Sequence, residues 1–396
     1  MKNGKFSYID LFSGCGGLSE GFNQSGRFSG IAHVEWEKPM VETLRNRLFE
    51  KWNESQEAAF NRVVHFDIQR TSELLNGNWS DKSRTDFPNN SEIVKEFGLV
   101  GLVGAQEVDL VIGGPPCQAY SIAGRAQDKH SMKNDYRNYL FESYVKVVEA
   151  FRPRVFVFEN VPGMLSAKPG DVLVTKRIFK AFTDVGYEIR SPKEMHKSVY
   201  SMDEFGVPQR RRRVILIGVS TESGLNVEDI YQCLDELKTE KIFDVKMAIG
   251  GLPPVREGVD SKLHNHRYRP SNERDKLIFK KWVSNNMNSW PTKKKIEYYN
   301  NLMGKESKHA KYRSLEWSKP SPTIVAHLQK DGLMFIHPDP NQARTITVKE
   351  AALLQSFPDD YRFLGSMGVC YKMIGNAVPP LFAAQLALAI ENSINK

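Results

Sequence analysis

The chain has 396 residues, of which 40% are hydrophobic and 26% charged, and both fractions are typical of globular proteins. This length predicts two or three domains with a large apolar core. The first apolar stretch is interrupted by Asp10, and the apolar tail at 378–390 is too short to cross a bilayer. We therefore expect a cytoplasmic protein without a signal peptide or a membrane span.

The cysteines argue against disulfide bonds and against a metal site. There are four, at positions 15, 117, 233 and 370, and no two of them form a Cys-x-x-Cys pair. Such spacing is typical of proteins from a reducing compartment. His264 and His266 also lack the spacing of metal ligands. No metal is expected.

Positive charge is concentrated in one part of the chain. The net charge is +8, and residues 256–313 hold 15 Lys and Arg against 6 Asp and Glu, an excess of nine. Tryptophan and tyrosine residues are interleaved with these charges, as on surfaces that follow nucleic-acid phosphates. A solvated face of ordinary helices has a similar composition, so charge alone leaves the partner open.

Short apolar runs rich in β-branched residues alternate with segments of helical spacing. This alternation predicts an α/β fold with a mostly parallel, doubly wound sheet. Ligands of such sheets bind at the carboxyl ends of the strands, so residues that follow the runs are candidate site residues. The predicted strands are 8–12, 30–35, 63–66, 109–113, 155–159 and 214–219.

Two regions depart from this rhythm. Residues 76–90 are rich in Asn, Ser, Asp and Gly and indicate a surface insertion. Beyond about residue 244 the alternation stops, and regular patterning returns near residue 347. We expect a catalytic and cofactor-binding domain formed by 1–245 and 366–396, interrupted by a second domain at 246–365.

A glycine-rich segment, Asp10-Leu-Phe-Ser-Gly-Cys-Gly-Gly, follows the first predicted strand. Its glycines permit a tight turn against a ligand, although a turn without a ligand is the alternative. A dinucleotide site would need a third glycine where Ser19 stands. Glu35 and Trp36 close the second strand, and Asp67 closes the third. The carboxylate of Glu35 suits ribose hydroxyls, the indole of Trp36 suits adenine, and Asp67 suits an exocyclic amine. Together they favour an adenosine-containing cofactor without a pyrophosphate.

The segment Gly-Gly-Pro-Pro-Cys-Gln, residues 113–118, follows the fourth predicted strand. An isolated cysteine is most often a small buried hydrophobic residue. Paired prolines, however, fix the backbone before Cys117 and place it in a strand-end turn, which favours a nucleophile. Methyltransferases that act on amino groups need no covalent step and characteristically have an Asp/Asn-Pro-Pro-aromatic motif instead. The cysteine therefore distinguishes an enzyme that bonds covalently to its substrate from one that methylates an amino group.

Charged residues also end the last two predicted strands. Glu159 closes the fifth strand. A carboxylate at the end of an apolar strand is suited to share a proton with a ring nitrogen. Before the sixth strand, Arg211 and Arg213 alternate with Arg210 and Arg212, so one pair should face away from the other. A helix cap or a surface turn is the alternative for Glu159, and a solvated basic run is the alternative for the arginines.

Taken in order, these segments resemble the cytosine-C5 DNA methyltransferase family of bacterial restriction–modification systems. The resemblance covers nearly all of the chain outside about 245–343 and the insertion at 76–105. It implies an S-adenosylmethionine-dependent methyltransferase sheet with a smaller DNA target-recognition domain. The matching segments are Asp10-Leu-Phe-Ser-Gly-Cys-Gly-Gly, Gly-Pro-Pro-Cys-Gln at 114–118, Glu-Asn-Val at 159–161, Gln-x-Arg-x-Arg at 209–213, Arg344 with Glu350-Ala-Ala-Leu-Leu-Gln-Ser-Phe-Pro, and Gly375-Asn-Ala-Val-Pro.

The resemblance also implies a role for individual residues. Cys117 would attack ring carbon 6 of a cytosine flipped out of the duplex. Glu159 would bond ring nitrogen 3 and the amino group, and Arg213, supported by Arg211, the carbonyl oxygen. The residues expected at the cofactor are Phe12, Gly14, Gly16, Glu35, Trp36, Asp67, Ile68, Pro115 and Asn376; those expected at DNA are Ser121, Arg125 and Gln209.

The same resemblance implies the partners, and three alternatives stand against it. Double-stranded DNA would be the substrate, recognised mainly by 246–343, with a cognate restriction endonuclease acting on the same site and the enzyme a monomer. RNA cytosine is the alternative substrate. A non-catalytic binding protein would show damage at Cys117, Glu159 or the Gln-x-Arg-x-Arg segment, and the sequence shows none. A dinucleotide oxidoreductase is disfavoured by Ser19.

Overall fold

The computed structural model describes residues 4–116, 140–169, 172–257, 261–304, 306–330 and 332–395. The predicted site residues Cys117, Ser121 and Arg125 lie outside these ranges. The chain forms two compact units, which we call the first and second unit. The first consists of Met1–Phe205, Arg212–Thr239 and Val378–Lys396, and the second of Gly206–Arg211 and Glu240–Ala377.

The six predicted strands are confirmed, and shorter strands accompany them. The strands are β1 Phe6–Leu11, β2 Phe28–Glu35, β3 Val63–His65, β4 Leu110–Gly113, β5 Val155–Asn160, β6 Tyr187–Ile189, β7 Val199–Ser201, β8 Gln209–Arg210, β9 Arg212–Ser220 and β10 Ser321–Pro322.

Helices connect these strands, and further helices lie in the second unit. They are α1 Gly17–Gln24, α2 Lys38–Glu50, α3 Gln56–Arg62, α4 Thr71–Asn76, α5 Asp81–Asp86, α6 Glu92–Val103, α7 Leu140–Phe151, α8 Val174–Asp184, α9 Val227–Glu236, α10 Val245–Ile249, α11 Glu273–Ser284, α12 Thr292–Met303, α13 Val348–Leu354, α14 Met367–Asn376 and α15 Pro380–Ile394.

The sheet of the first unit is mostly parallel, as predicted. Its strand order is β3-β2-β1-β4-β5-β9-β6, with β7 paired to β9. The first five strands of this order are parallel, whereas β9 runs antiparallel to β5, β6 and β7. Because β1 neighbours both β2 and β4, the chain order reverses between β1 and β4. In doubly wound sheets a ligand binds at the carboxyl ends of the strands beside such a reversal.

Side chains from both faces of the sheet form the core of the first unit. The Phe156 ring stacks on Phe182 at 3.9 Å. The Tyr144 hydroxyl of α7 shares its one proton between the carbonyl oxygens of Val111 and Val157, at 2.9 and 2.8 Å. This hydroxyl therefore links β4 to β5, the two strands whose ends carry Gly113 and Asn160.

Helix α15 packs closely against α1 within the first unit. A Cβ atom added at Gly21 would lie 2.4 Å from the carbonyl oxygen of Pro380 and 2.5 Å from the Cβ of Ala383. Only glycine permits this approach at position 21. The helix that follows the glycine-rich loop is therefore supported by the last helix described.

The prediction of a surface insertion at 76–90 was wrong in part. Residues 81–86 form α5, and Trp79 and Phe87 lie in the main core, where Trp79 stacks on Phe66 at 4.0 Å. The polar composition of this segment comes from its exposed face. Two aromatic side chains are enough to fix it to the sheet, since each buries a large apolar surface.

The second unit has an aromatic core of its own and a buried ion pair. Trp282 and Tyr312 lie 5.6 Å apart between ring centroids, in a cluster with Phe279. Arg344 is fully buried, and its two terminal nitrogens donate to the Glu350 carboxylate at 2.7 Å. Glu350 also closes a capping box at the start of α13.

The compact units and the predicted functional domains have different bounds. Residues 206–211, 240–245 and 366–377 group with the second unit, whereas the sequence pattern assigns them to the catalytic domain. The domain assignment stays a prediction. The segment Met367–Ile394 is long and apolar enough to span a membrane by composition, but 67% of its most apolar window is buried. That burial is typical of core helices in water-soluble proteins.

Candidate active site

The glycine-rich loop after β1 has a left-handed backbone at three positions. The φ angle is 56° at Phe12, 57° at Gly14 and 87° at Gly16. Glycine adopts such angles freely, but a bulky residue such as Phe12 does so rarely, usually at a functional site. The turn is closed by the N–H of Gly16, which donates to the Ser13 carbonyl at 2.8 Å.

Glu35, at the end of β2, fixes this loop. Its Oε2 accepts the N–H of Gly14 at 2.8 Å, and its Oε1 accepts the N–H groups of Trp36 and Glu37 at 2.9 and 2.8 Å. Burial raises the pKa of Glu35 to about 7, although these backbone hydrogen bonds oppose the increase. Because each carboxylate oxygen accepts two hydrogen bonds, Oε2 retains one acceptor position for a ligand hydroxyl.

The next predicted cofactor residues lie at the same edge of the sheet. Trp36 is 53% exposed, an unusual state for an indole. Asp67 is half-buried and accepts the N–H of Gln69 at 3.0 Å, and Ile68 is buried in the core. The carboxyl ends of β1, β2 and β3 thus bring together a glycine turn, two carboxylates and an exposed indole.

The loop after β4 begins in close contact with Glu159. A Cβ atom added at Gly114 would lie 2.6 Å from Glu159 Oε2. The side-chain amide of Asn160 donates to the carbonyl oxygen of Pro115 at 3.3 Å. These contacts hold Gly114 and Pro115 against the end of β5. Pro115 is buried and Pro116 exposed, so the chain reaches the surface just before Cys117.

Glu159 and Arg213 form an ion pair across two antiparallel strands. The β5–β9 register places Glu159 opposite Ile215 and Asn160 opposite Val214. Arg213 Nε lies 2.7 Å from Glu159 Oε1, and the two side chains are only 14% and 11% exposed. A carboxylate and a guanidinium so arranged offer an acceptor and a set of donors side by side, which suits a polar heterocyclic edge.

The alternation predicted for the arginine run is confirmed. Arg211 and Arg213 are buried or half-buried, whereas Arg210 and Arg212 are exposed. Arg211 belongs to the second unit, where its terminal nitrogens donate to the carbonyls of Ile324 and Gly375 at 3.0 and 3.1 Å. Its guanidinium therefore holds two backbone carbonyls in place. A supporting catalytic role for Arg211 stays a prediction.

Gln209 and Asn376 are also in the second unit. Gln209 is fully buried; its amide donates to Leu354 O at 3.2 Å and to Gln355, and accepts the N–H of Ile324 at 2.9 Å. Its predicted contact with DNA stays a prediction. Asn376, the last residue of α14, is exposed, and its predicted cofactor contact stays a prediction.

Sequence reasoning missed Gly114 and the amide role of Asn160. Gly114 makes room for the Glu159 carboxylate, and nothing in the local pattern distinguishes it from Gly113, which lies against β1. Asn160 could have been noticed, because a buried amide at a strand end needs a partner in a neighbouring loop. Within the described residues no group of three or more His, Cys, Asp or Glu could hold a metal ion.

Comparison with known proteins identifies the family. The family model of the C-5 cytosine-specific DNA methylases matches residues 6–68 and 55–392. The type II methyltransferase M.Bpa9945I of Bacillus paralicheniformis is 35% identical, over 98% of this chain and 99% of its own length. M1.HphI of Haemophilus parahaemolyticus, also a type II methyltransferase, is 30% identical over 97% of this chain and 86% of its own.

A solved structure supports the fold. A protein described as a DNA modification methyltransferase from an E. coli prophage superposes with a TM-score of 0.60 at 24% identity, covering 99% of this chain and 100% of that one. The family match spans most of both units. It gives the parallel sheet and the site at the strand ends a single interpretation. The chain belongs to the C-5 cytosine-specific DNA methylase family and is an S-adenosylmethionine-dependent DNA cytosine methyltransferase.

Proposed function

We propose that this enzyme flips a cytosine out of duplex DNA and methylates its carbon 5 through a covalent adduct with Cys117. The observation that supports this most is the Glu159–Arg213 pair, packed against Gly114 three residues before Cys117. We further propose that the modification protects host DNA from an endonuclease that cuts the same site, and that the enzyme acts as a cytoplasmic monomer.

The Glu159–Arg213 pair matches one edge of the cytosine ring. Ring nitrogen 3 lies between the amino group and the carbonyl oxygen. Glu159 would bond nitrogen 3 and the amino group, while Arg213 would donate to the carbonyl oxygen. These bonds strengthen as negative charge develops in the ring, which is the condition for stabilising a transition state rather than a bound substrate.

The covalent steps begin and end at Cys117. Its thiolate forms a bond to carbon 6, and the displaced electron pair makes carbon 5 nucleophilic while the proton shared with Glu159 neutralises nitrogen 3. When bound, S-adenosylmethionine supplies an electrophilic methyl group to carbon 5. A base then removes the proton from carbon 5, the carbon–sulfur bond breaks, and Cys117 leaves as a thiolate.

The residues at the ends of β1 to β3 fit an adenosine cofactor. The remaining acceptor position on Glu35 Oε2 suits a ribose hydroxyl, and the exposed indole of Trp36 suits adenine. Asp67, half-buried, suits the exocyclic amine. Phe12, Gly14, Gly16, Ile68 and Pro115 would shape the surrounding surface, and Asn376 stays a predicted cofactor residue.

The second unit carries the charge expected of a DNA-binding region. Lys293 and Lys294 are exposed in the first turn of α12, and the Lys294 ammonium lies 4.0 Å from the centroid of the Trp290 ring. Exposed lysines with aromatic neighbours suit phosphate contacts. We propose that residues 246–343 read the target sequence, with Ser121 and Arg125 near the phosphates of the flipped nucleotide.

A duplex that contains 5-fluorocytosine tests the covalent step. Fluorine at carbon 5 cannot leave as a proton does, so elimination is blocked and the enzyme should remain attached to DNA in a denaturing gel. Cys117→Ser should form no adduct and transfer no methyl group, yet still bind the cofactor. Full activity of Cys117→Ser would overturn the mechanism, and methylation of tRNA in preference to matched DNA would favour the RNA alternative.

The target sequence itself can be read directly. Bisulfite sequencing of DNA from cells that express the protein should show one short motif methylated at a single cytosine. Resistance of that DNA to an endonuclease specific for the same motif would support the protective role. Random methylation, or none, would contradict a restriction–modification function.

A further inference from the structure

Three buried polar residues lie at the base of the glycine-rich loop. Ser19 Oγ is 2.5 Å from Asp10 Oδ2 and 3.0 Å from His33 Nδ1. Asp10 and His33 are fully buried, and Ser19 is 1% exposed. We call this set the Asp10–Ser19–His33 relay. Burial of three polar side chains in contact is costly unless their hydrogen bonds are satisfied, so this arrangement requires a reason.

Chemistry fixes the direction of the hydrogen bonds in the relay. A serine hydroxyl has one proton. Burial raises the pKa of Asp10 to about 7, so above that pH Asp10 is a carboxylate that only accepts, and Ser19 donates to it. His33 Nδ1 must then carry the proton and donate to Ser19 Oγ. The ring is neutral, because burial lowers the pKa of His33 to about 3. Every donor in the relay therefore points toward Asp10.

The relay spans the loop expected to hold the cofactor. Asp10 lies in β1 before the loop, and Ser19 lies in the first turn of α1 after it. His33 stands on β2 two residues before Glu35, so the two side chains share a face of that strand. Glu35 holds the N–H of Gly14. Strand β2 therefore holds the loop at Gly14 through Glu35 and holds its far end through His33 and Ser19.

Two atoms of the relay add a further constraint. Within the described parts of the chain, Asp10 Oδ1 and His33 Nε2 are buried without a hydrogen-bond partner. Gly30 leaves room for the histidine, since a Cβ atom there would lie 2.6 Å from its Nε2. Buried polar atoms without a hydrogen-bond partner reduce stability. A set of residues retained for stability alone would be better replaced by apolar side chains.

We propose that Asp10, Ser19 and His33 are positioning residues that set the affinity of the enzyme for S-adenosylmethionine by holding the loop that is left-handed at Phe12, Gly14 and Gly16. This inference rests on the proposed cofactor site. The loop offers backbone and glycine surfaces rather than charged groups, so its affinity depends on the shape being formed before the cofactor arrives. Loss of the relay should weaken binding of the cofactor and leave the chemical step intact.

The test compares variants of the relay with a matched serine elsewhere in the first unit. Ser198 is also fully buried, and its hydroxyl lies 3.2 Å from the Tyr231 hydroxyl, remote in sequence from the loop. The Kd and KM for S-adenosylmethionine, kcat at saturating cofactor and the unfolding temperature are measured at pH 8.5 for the native enzyme and for Ser19→Ala, His33→Leu, His33→Asn and Ser198→Ala.

Ser19→Ala and His33→Leu should raise Kd and KM about tenfold, the effect of roughly one lost hydrogen bond, with kcat within about threefold of native. His33→Asn retains an N–H group and should recover most of the affinity. Ser198→Ala should lower the unfolding temperature by about as much as Ser19→Ala does and leave Kd unchanged.

Three results would overturn the proposal. Native Kd in Ser19→Ala and His33→Leu would show that the relay does not set cofactor affinity. An equal loss of affinity in Ser198→Ala would show that the effect is only loss of stability. If the native enzyme itself binds no S-adenosylmethionine, the proposed cofactor site fails and the relay proposal fails with it, a result distinct from the first two.

Discussion

Arg213 Nε lies 2.7 Å from Glu159 Oε1 because β5 and β9 are antiparallel neighbours. A parallel pairing would place the start of β9 at the opposite edge of the sheet from the end of β5. The antiparallel direction of β9 relative to β5 therefore brings the guanidinium to the carboxylate. Two charges far apart in sequence become one recognition element.

Glu159→Gln should lower kcat by at least about 100-fold, because the amide cannot share a proton with ring nitrogen 3. Arg213→Lys should lower kcat less, since one ammonium replaces a planar set of donors. Radiolabelled methyl transfer to DNA measures both effects. Cofactor affinity and the unfolding temperature are the controls, and an unfolded Glu159→Gln protein would instead indicate a structural role.

Gly114→Ala should mimic the loss of Glu159. The new Cβ atom would lie 2.6 Å from Glu159 Oε2, so the carboxylate must move away from its position beside Arg213. We expect a drop in kcat of about 100-fold or more with the cofactor still bound. Gly251→Ala is the matched control, since a Cβ atom there meets nothing within 4 Å. Native turnover of Gly114→Ala would contradict the proposed position of Glu159.

Cofactor affinity should weaken as the pH falls through about 7. Burial raises the pKa of Glu35 to about 7, so the carboxylate that accepts hydrogen bonds predominates above that pH and is lost below it. Burial places the pKa of Asp10 near 7 as well. Equilibrium binding of S-adenosylmethionine should weaken by about tenfold between pH 8 and pH 6. Glu35→Gln should bind weakly at both values; a pH-independent Kd in the native enzyme would contradict the assignment.

Glu350→Gln should destabilise the second unit by about 3–5 kcal/mol, because it leaves the buried Arg344 cation without its carboxylate. Urea unfolding followed by tryptophan fluorescence measures the change. Glu316→Gln is the control in the same unit, since its pair with Lys319 is exposed and should contribute less than about 1 kcal/mol. Equal losses in the two variants would show that burial of the Arg344 pair is unimportant.

Acid should remove the same stabilisation. Burial alone would raise the pKa of Glu350, but the hydrogen bonds and charge of Arg344 lower it to about 2 from an ordinary 4.5. A carboxyl with a depressed pKa in the folded protein stabilises it above pH 4.5 and loses this effect as the pH falls toward 2. The free energy of unfolding should therefore fall over this range in the native protein and less steeply in Glu350→Gln.

The sequence was sufficient for the parallel sheet and for the strand ends at which Glu35, Asp67 and Glu159 stand. Local patterns fix strands, and the geometry of parallel sheets then fixes which edge their ends share. The resemblance to the family implied that Glu159 and Arg213 contact the same cytosine, but the ion pair between them was not predicted. It did not follow from the pattern, which gives no strand order for the last strands.

Contacts between distant segments could not be predicted. Gly114 beside Glu159, and Ser19 between Asp10 and His33, depend on how neighbouring strands and helices pack, which local periodicity does not encode. The segment 76–90 was mispredicted for the same reason. Its polar residues suggested a surface loop, but Trp79 and Phe87 fix it in the core, because two aromatic side chains outweigh a polar composition.

The close packing of α1 against α15, with Gly21 at the Pro380 carbonyl, has a consequence for synthesis. On the ribosome, α1 emerges early, and the helix that covers it emerges only after the whole of 240–377 has been made. The nascent chain must therefore display the apolar face of α1 throughout most of translation, and such surfaces attract chaperones and promote aggregation. A truncation that removes α15 should accordingly damage cofactor binding at the opposite end of the chain.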